Sequence, residues 1–311
     1  MTRPRRSTIL DTLAVVVAVA SGIGLSVRLT VRDGLPLASN VFYAMPPPLI
    51  AALILAAGLV WLGNRRPRVA LGCLVVSALT AVLWARGAYH VHACRPDEGS
   101  VRVLLWNTAR GFGGWDAVAE RVASFDADII GLVEAGGSGA DRREFWARYF
   151  PGYDLRLLGG GLVILTRGRI AEHHIRRVAE TSSCGEAWID IEGRSVRVLL
   201  VDAVVRPFSN RGEVLNAVFD LARSSPEVPT IVMGDFNTPL ESVWFENARR
   251  DFVQAFEQAG NGLLTTWPVP LPVMAIDHVW VSRSARVACA HIGWTWASDH
   301  RPVSARVSLR E

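Results

Sequence analysis

Residues 230–240 read TIVMGDFNTPL, an apolar, β-branched run that stops abruptly at an acid, an aromatic and an amide. A run such as Thr230-Ile231-Val232-Met233 suits a strand buried on both faces, and Gly234 then permits a turn that a side chain would obstruct. Asp235 and Asn237 are thereby delivered to a sheet edge. Taken alone, an Asp-x-Asn there can be an Asx-type turn in which side chains cap their own backbone. The rest of the chain has to decide between a cap and a site.

The 311 residues divide by composition. Residues 1–99 carry ten arginines against four acids (Asp11, Asp33, Asp97 and Glu98), a net +6, whereas residues 100–311 carry 23 arginines against 25 acids, a net −2. Every fixed positive charge is a guanidinium, because the sequence contains no lysine. Three nearly uncharged stretches dominate the N-terminal third: 9–27, 35–64 with its apolar run 49–62, and 69–85. A bilayer core about 30 Å thick needs roughly 20 mostly apolar residues as helix, so each stretch is predicted to cross once. Pro46-Pro47-Pro48 marks the start of the second helix, since proline is tolerated in a first turn and disfavoured further in. Trp61 and Trp84 stand where interfacial aromatics are expected.

Arginine placement sets the orientation. Arg3, Arg5 and Arg6 precede the first span and Arg65, Arg66 and Arg68 fill the loop after the second, while the intervening loop has only Arg28 and Arg32, offset by Asp33. The positive-inside rule puts the N-terminus and the second loop in the cytoplasm and sends the remainder of the chain outside. A second reading makes residues 3–20 a cleavable signal peptide ending at Ala18-Val19-Ala20. Both readings export the C-terminal part. Of four cysteines, Cys73 falls in a span, which leaves Cys94, Cys184 and Cys289 in an oxidising space; three cannot all pair within one chain. Cys184 and Cys289 lie in strand-like surroundings and read as small buried apolar groups rather than a disulfide. No zinc-ligand spacing is present.

Beyond a linker at 89–99, the sequence changes character. Strand patterns are predicted at 101–106, 128–133, 161–166, 187–191, 196–201, 230–233, 276–281 and 303–309, and helical patterns at 115–125, 142–149, 211–224 and 243–258. Residues 100–311 therefore read as one α/β domain, long enough for a substantial core. What stands at the strand ends matters more. One strand ends in Asn107, another in Glu134, the quoted strand in Asp235 and Asn237, and two further pieces read Ile276-Asp277-His278-Val279 and Ser298-Asp299-His300-Arg301-Pro302. Five independent caps would be an odd coincidence.

In this order WNT, GLVE, GDFNTP, IDHVW and SDHRPV resemble the endonuclease/exonuclease/phosphatase superfamily over essentially all of residues 100–311. The TWP at 266–268 and the three preceding spans resemble its bacterial membrane-anchored branch. The resemblance implies a four-layer α/β/β/α sandwich of two mixed sheets, preceded by three transmembrane helices. It also implies a multi-pass protein of the bacterial inner membrane with its domain on the extracytoplasmic side.

The chemistry follows from residue types. Phosphate-ester hydrolysis needs a hard cation, a positioned water and donors that grip the transition state. Mg²⁺, with Mn²⁺ as an alternative, prefers carboxylate and water oxygens, so one or two protein carboxylates suffice. Glu134 is the candidate ligand, with Asn107 beside it and Asp299 nearby. His300 has the intrinsic pKa to contact phosphate or move a proton, and the resemblance assigns Asp277 to orient its ring. Asp235 is assigned to position or deprotonate the attacking water, and Asn237 to donate to the developing oxyanion. Arg167 and Arg211 are candidates for contact with the substrate anion, while His278 reads as structural and His173, His174 and His291 as surface or strand residues. Trp267, Trp294 and Trp296 are placed to wall the pocket or form a membrane-facing rim. One departure stands out: where relatives present a phosphate-facing His after the strand corresponding to 196–201, this chain has Asp202. A carboxylate there must be turned away, neutralised by an arginine such as Arg206 or Arg211, or shielded by a cation.

Three functional classes follow. The first is a membrane-tethered, metal-dependent hydrolase of phosphate esters, lipid-linked or small. The second is an exported nuclease, disfavoured because duplex binding draws on a positive surface and the domain is at −2. The third is a noncatalytic binding module on the same fold.

Overall fold

The computed structural model describes residues 5–95, 97–137, 139–178, 182–204 and 210–309. It comprises two units, Met1–Ala88 and Tyr89–Glu311.

In the first unit α1 (Arg5–Leu29), α2 (Pro36–Ala44), α3 (Pro47–Gly63) and α4 (Pro67–Ala88) follow one another. Windows in α1 and α4 reach mean hydropathies of 2.0 and 1.9, so both are long and apolar enough to cross a bilayer. The expected second span is broken: α2 and α3 meet at 70°, giving a third crossing only if the bent pair counts as one. Pro46 caps α3 and Pro47 and Pro48 occupy its first turn, so no helix can run through them. Asp11 of α1 accepts from Asn64 Nδ2 at 2.8 Å and pairs with Arg66 at 3.6 Å, which brings the start of α1 and the α3–α4 loop to the same end of the unit. A Cβ on Gly58 would lie 2.9 Å from Cys73 Cβ, so its hydrogen lets α3 and α4 approach closely.

The second unit runs β1 (Tyr89–Val91), β2 (Val101–Asn107), α5 (Trp115–Ala123), β3 (Ile129–Val133), α6 (Ala140–Tyr149), β4 (Asp154–Leu157), β5 (Val163–Thr166), β6 (Arg169–Arg177), β7 (Ser183–Ile191) and β8 (Arg194–Asp202). It continues through α7 (Arg211–Arg223), β9 (Thr230–Asp235), β10 (Phe252–Gln254), α8 (Ala255–Ala259), β11 (Asn261–Leu263), β12 (Asp277–Ser282), β13 (Ala285–Ile292) and β14 (Val303–Leu309). Two six-stranded sheets form, in the orders β10-β12-β9-β8-β7-β6 and β13-β14-β2-β3-β5-β4, with β1 and β11 as a separate pair. Each large sheet is mixed, with one parallel pair at its centre: β8 with β9, and β2 with β3.

Side-chain alternation along a strand explains the layers. Val101, Val103 and Leu105 of β2 enter the core with Val198, Leu200, Ile231 and Met233 of the other sheet, whereas Leu104 and Trp106 face Val118 and Val122 of α5 and Trp146 of α6. Leu215, Val218 and Phe219 of α7 cover the outer side of the first sheet. The result is the four-layer α/β/β/α sandwich of two mixed sheets. At Gly131 the sheets come so close that a Cβ would meet Met233 Cε at 2.4 Å and Leu200 Cδ1 at 2.9 Å.

The structure adds strands β4, β11 and β13, for which the sequence reading has no counterpart, and departs from that reading in four further places. Residues 243–258 have helical spacing of Phe245, Ala248, Phe252 and Phe256, all buried, yet they form two 3-10 turns, edge strand β10 and the short α8, because 252–254 hydrogen-bonds along β12. Strand β6 was not anticipated since it is a nearly all-exposed edge whose only buried residue is Ile170. Within the expected linker 89–99, residues 89–91 pair with β11. Finally, Cys94 and Cys289 form a disulfide with Cα atoms 4.8 Å apart. The chain after β1 runs beside β13, with Arg95 N–H on Ala288 O at 3.4 Å, and so brings to Cys289 a partner far away in sequence. Cys184 is the buried apolar group expected, its thiol pushed up to about 12 by burial.

Titration of the denatured, unreduced protein is expected to find two reactive thiols, Cys73 and Cys184, and four after reduction. The Cys94→Ser/Cys289→Ser variant should lose about 2–4 kcal/mol of stability, the usual range for a bridge closing a long loop. Four thiols before reduction would contradict the pairing.

Candidate active site

The parallel pairs β2/β3 and β8/β9 point their carboxyl ends toward one edge of the sandwich, where Asn107, Glu134, Asp202 and Asp235 stand. Carboxyl ends of parallel strands are where α/β folds characteristically collect ligand-binding groups, because each strand there releases its chain into a loop.

Asp235 closes β9. A Cβ on the preceding Gly234 would lie 2.0 Å from Val201 O, so only glycine lets β9 press this closely on β8. Asp235 Oδ1 accepts from Asn237 N–H at 2.7 Å, with Asn237 at φ +47°, a left-handed conformation that asparagine tolerates. The Asx turn is therefore real, and it consumes one oxygen only. Asp235 Oδ2 accepts from Asn107 Nδ2 at 2.9 Å, across to the other sheet, and lies 3.9 Å from His300 Nε2. The cap and the site are the same residue.

His300 is held on every side. Its Nδ1 lies 2.9 and 3.2 Å from the two carboxylate oxygens of fully buried Asp277, which is paired across the sheet with Asp235. Its backbone N–H donates to Ser298 Oγ, which itself donates to Asn107 O at 2.8 Å, and its carbonyl accepts from Trp106 Nε1. Burial opposes charge on the imidazole, but Asp277, then Asp235 and Asp299, outweigh it and hold the pKa well above the usual histidine value. Burial and the charge of Asp277 conversely push the Asp235 carboxyl far up.

Around this centre stand further acids. Asp299 Oδ1 is 3.9 Å from His300 Nε2, and its Oδ2 accepts from Trp267 Nε1 at 3.1 Å. Glu134, at φ +52°, pairs with Arg110 Nε at 3.0 Å. Such a φ is uncommon for glutamate and is typical of strain held at functional positions. Asp202 lies in register with Asp235, and its carboxyl is pushed up to about 6 by burial and by Glu134, against the opposing influence of Arg110 and His300. Asp202 thus shares the cleft with Glu134 and His300.

The other expectations fall out unevenly. Arg211 Nη1 donates to Asn237 O and so braces the turn after β9. Arg167 is not part of this cluster: it binds Asp126 and Asp128, at the opposite end of β3 from Glu134, about 20 Å away at strand rise. Arg206 lies outside the described residues. Asn237 Nδ2 donates one hydrogen to Ala203 O at 3.0 Å. His278 is structural, buried against Phe236 and Phe245, with its pKa pushed down to about 4 by burial. Arg110, Ser298 and Thr266, whose Oγ1 receives Asp277 N–H at 3.3 Å, were not anticipated; small polar residues and a loop arginine leave no distinctive spacing in a sequence.

Oxygen donors dominate the cleft. Glu134, Asp202, Asp235, Asp277 and Asp299 face His300 and Arg110, an excess of negative charge that suits a hard dication. Among the described residues Asp235, Asp277 and His300 place one ligand atom each within 4.8 Å of one another, a group that could hold a metal ion. The expected ligands Glu134, Asn107 and Asp299 stand beside that group.

Comparison with known proteins follows the same residues. The profile of the Endonuclease/Exonuclease/phosphatase family matches residues 104–300. No curated protein matches the chain by sequence. Among solved structures, an endonuclease/exonuclease/phosphatase from Bacteroides vulgatus superposes with a TM-score of 0.58 at 17% identity, covering 68% of this chain and 100% of its own. The Bacteroides thetaiotaomicron mannosyl-6-phosphatase gives 0.53 at 20% identity over 67% and 99%. D. rerio TDP2 complexed with single-strand DNA product gives 0.56 at 12% identity over 68% and 100%.

The carboxylates around His300 make its charge testable. Because its folded pKa is raised, the stability it contributes is complete below about pH 6.5 and is lost as pH rises through the folded value. In protein stripped of divalent ions, NMR titration of the His300 imidazole should give a pKa above 7. Asp277→Asn should lower it by more than one unit, since burial then acts with less opposition. An unchanged titration would separate the two residues electrostatically.

Proposed function

Because the chain belongs to the Endonuclease/Exonuclease/phosphatase family, we propose that it is a membrane-anchored, metal-dependent hydrolase of phosphate esters that works on the extracytoplasmic side of the bacterial inner membrane. The observation that carries the chemistry is the Asp277–His300 pair set 3.9 Å from Asp235, whose second oxygen is fixed by Asn107.

Asp277 holds Nδ1 of His300, so Nε2 is the atom presented to substrate. An imidazolium there gives a phosphoryl oxygen a charged hydrogen-bond donor inside a drier site, where such a donor is worth more than in water. Asp235, with Oδ1 engaged by the Asn237 backbone, offers Oδ2 to orient the attacking water and accept its proton; its raised pKa brings it into the range of an effective base. Asn237 keeps one amide hydrogen beyond the one given to Ala203 O, which suits it to donate toward a developing oxyanion. Glu134, Asn107 and Asp299 would hold Mg²⁺ or Mn²⁺, the fit resting on their oxygen donors and on the negative excess already described. The ion would supply neutralisation of the phosphoryl oxygens.

Anchoring rests on α1, α4 and the bent α2–α3 pair. Orientation rests on the arginines at the start of the chain and in the α3–α4 loop, the start of α1 and that loop being joined by the Asp11 contacts. The Cys94–Cys289 disulfide supports an oxidising compartment for the second unit. The mannosyl-6-phosphatase and the DNA-bound TDP2 both handle phosphate esters, which supports that substrate class and no narrower one.

His300→Ala, Asp235→Asn and Glu134→Gln are each expected to lower Mg²⁺-dependent hydrolysis of bis-p-nitrophenyl phosphate or p-nitrophenyl phosphate at least about a hundredfold with folding retained. Chelation with EDTA should abolish turnover and Mg²⁺ or Mn²⁺ should restore it. Full activity in a folded His300→Ala protein would remove the histidine from the mechanism. Topology is tested separately: a phosphatase reporter fused after Arg95 should be active and a fluorescent protein that matures only in the cytoplasm should stay dark. The reverse pattern would place the catalytic unit in the cytoplasm.

A further inference from the structure

Eight large apolar side chains stand exposed among the described residues of the second unit: Tyr89, Val91, Phe112, Ile175, Val204, Leu271, Trp294 and Trp296. Scattered exposure of this kind is ordinary, but clustering is not. Five of the eight lie on segments bonded directly to active-site residues. Phe112, 83% exposed, is on the loop after β2, whose Ala109 N–H donates to Asn107 Oδ1 at 2.9 Å. Trp294 and Trp296, 44% and 69% exposed with ring centroids 5.8 Å apart, precede Asp299 and His300 on the loop after β13. The two loops touch, Gly113 N–H donating to Ala297 O at 3.2 Å. Leu271, 76% exposed, tips a turn closed by the Trp267–Met274 bridge, and that turn binds Asp299 twice, through Trp267 Nε1 and Val269 N–H. Val204, 45% exposed, follows Ala203, whose carbonyl takes the Asn237 amide.

We infer that this apolar collar around the cleft mouth inserts into the lipid interface, and that the substrate is a phosphate ester carried by a membrane lipid. The inference rests on the hydrolase and membrane-anchor readings above. Tryptophan beside leucine, valine and phenylalanine is the composition that partitions to a bilayer interface, where an amphipathic ring sits at headgroup level and aliphatic side chains go deeper. Single-stranded nucleic acid is the competing occupant, since aromatic side chains stack on bases. Leu271 and Val204 have no π-face to offer, and residues 100–311, at a net −2, lack the positive groove that tracks a phosphodiester backbone. The chain also supplies the bilayer itself: α1 and α4 are long and apolar enough to cross one, so a unit on the same chain meets lipid at high effective concentration. Collar insertion would set the scissile phosphate of a lipid at the depth of His300 and Asp235 without extracting its chains from the bilayer.

The test uses the full chain in phosphatidylethanolamine/phosphatidylglycerol vesicles, with an environment-sensitive fluorophore on Leu271→Cys in a Cys73→Ser background. The fluorophore should shift to the blue and be quenched at least twofold by doxyl-labelled lipid, and Phe112→Ser/Trp296→Ser should relieve the quenching. The same double substitution should lower hydrolysis of a long-chain alkyl phosphate ester embedded in those vesicles at least tenfold, while bis-p-nitrophenyl phosphate turnover changes less than twofold. A fluorophore that remains water-exposed and unquenched overturns the inference. So does an equal loss on both substrates, or quenching relief and competition by a single-stranded oligonucleotide, which would make the collar a base-stacking platform. Docking with neither ester hydrolysed would instead sink the hydrolase reading and leave the bilayer-binding collar standing.

Discussion

The hydrogen bond from Asn107 Nδ2 to Asp235 Oδ2 joins the ends of two strands that belong to different sheets. Its setting is nearly dry, with Asn107 and Asp235 1% and 2% exposed. Taking a carboxylate out of water costs several kcal/mol unless its lone pairs are answered. Here they are answered by the Asn107 side-chain amide and the Asn237 backbone N–H, which accounts for an amide rather than an acid or apolar group at position 107. The bond spans the gap between the sheets at this edge, so it depends on their spacing there, and Asp277 and His300 are arranged around it.

That spacing is a consequence of packing elsewhere. Gly131 and Gly234 are two of the places where a methyl group would find no room, one between the sheets and one between neighbouring strands of the same sheet. Both lie within three residues of an acid at a strand end, Glu134 and Asp235. Glycine in a strand interior loses side-chain packing and chain entropy, and at these positions the cost is offset by close approach that carries functional groups to one edge. Glu134 and Asn237, both with left-handed backbone, sit immediately beyond and take up the change of direction.

How much of this was legible in the sequence depends on whether a residue interrupts a pattern. Asp235, Asn237, Asn107 and Glu134 are visible because polar groups at the ends of buried apolar runs break a strong signal, whereas Asp277 and His300 are picked out by the resemblance of IDHVW and SDHRPV. Strand β6 carried no such signal, being polar on both faces, and 243–258 carried the wrong one, since buried residues at helical spacing can also be buried by a succession of short turns and an edge strand. The position of Arg167 just after a strand says nothing about which edge of the sandwich it occupies; the antiparallel pairing of β5 with β3 decides that, and register is a tertiary fact. The Cys94–Cys289 bridge was missed for the same reason. Its two ends are brought together by the path of a segment alongside β13, which no local spacing reports.

Asp202 shows how a substituted position is absorbed by its surroundings. Of the three ways to tolerate a carboxylate opposite a phosphate, turning away is contradicted by its register with Asp235 and by the influence of Glu134 and His300 on its charge. Arg211 is engaged with Asn237 O, so the described arginine that acts on Asp202 is Arg110, the residue that also pairs with Glu134. Arg110 therefore acts on two carboxylates, in contact with Glu134 and at longer range on Asp202. Burial first, and then the charge of Glu134, raise the Asp202 carboxyl to about 6. A protonated carboxyl carries an O–H where the sequence reading expected a histidine N–H, so the two side chains differ in how readily they donate and not in whether they can.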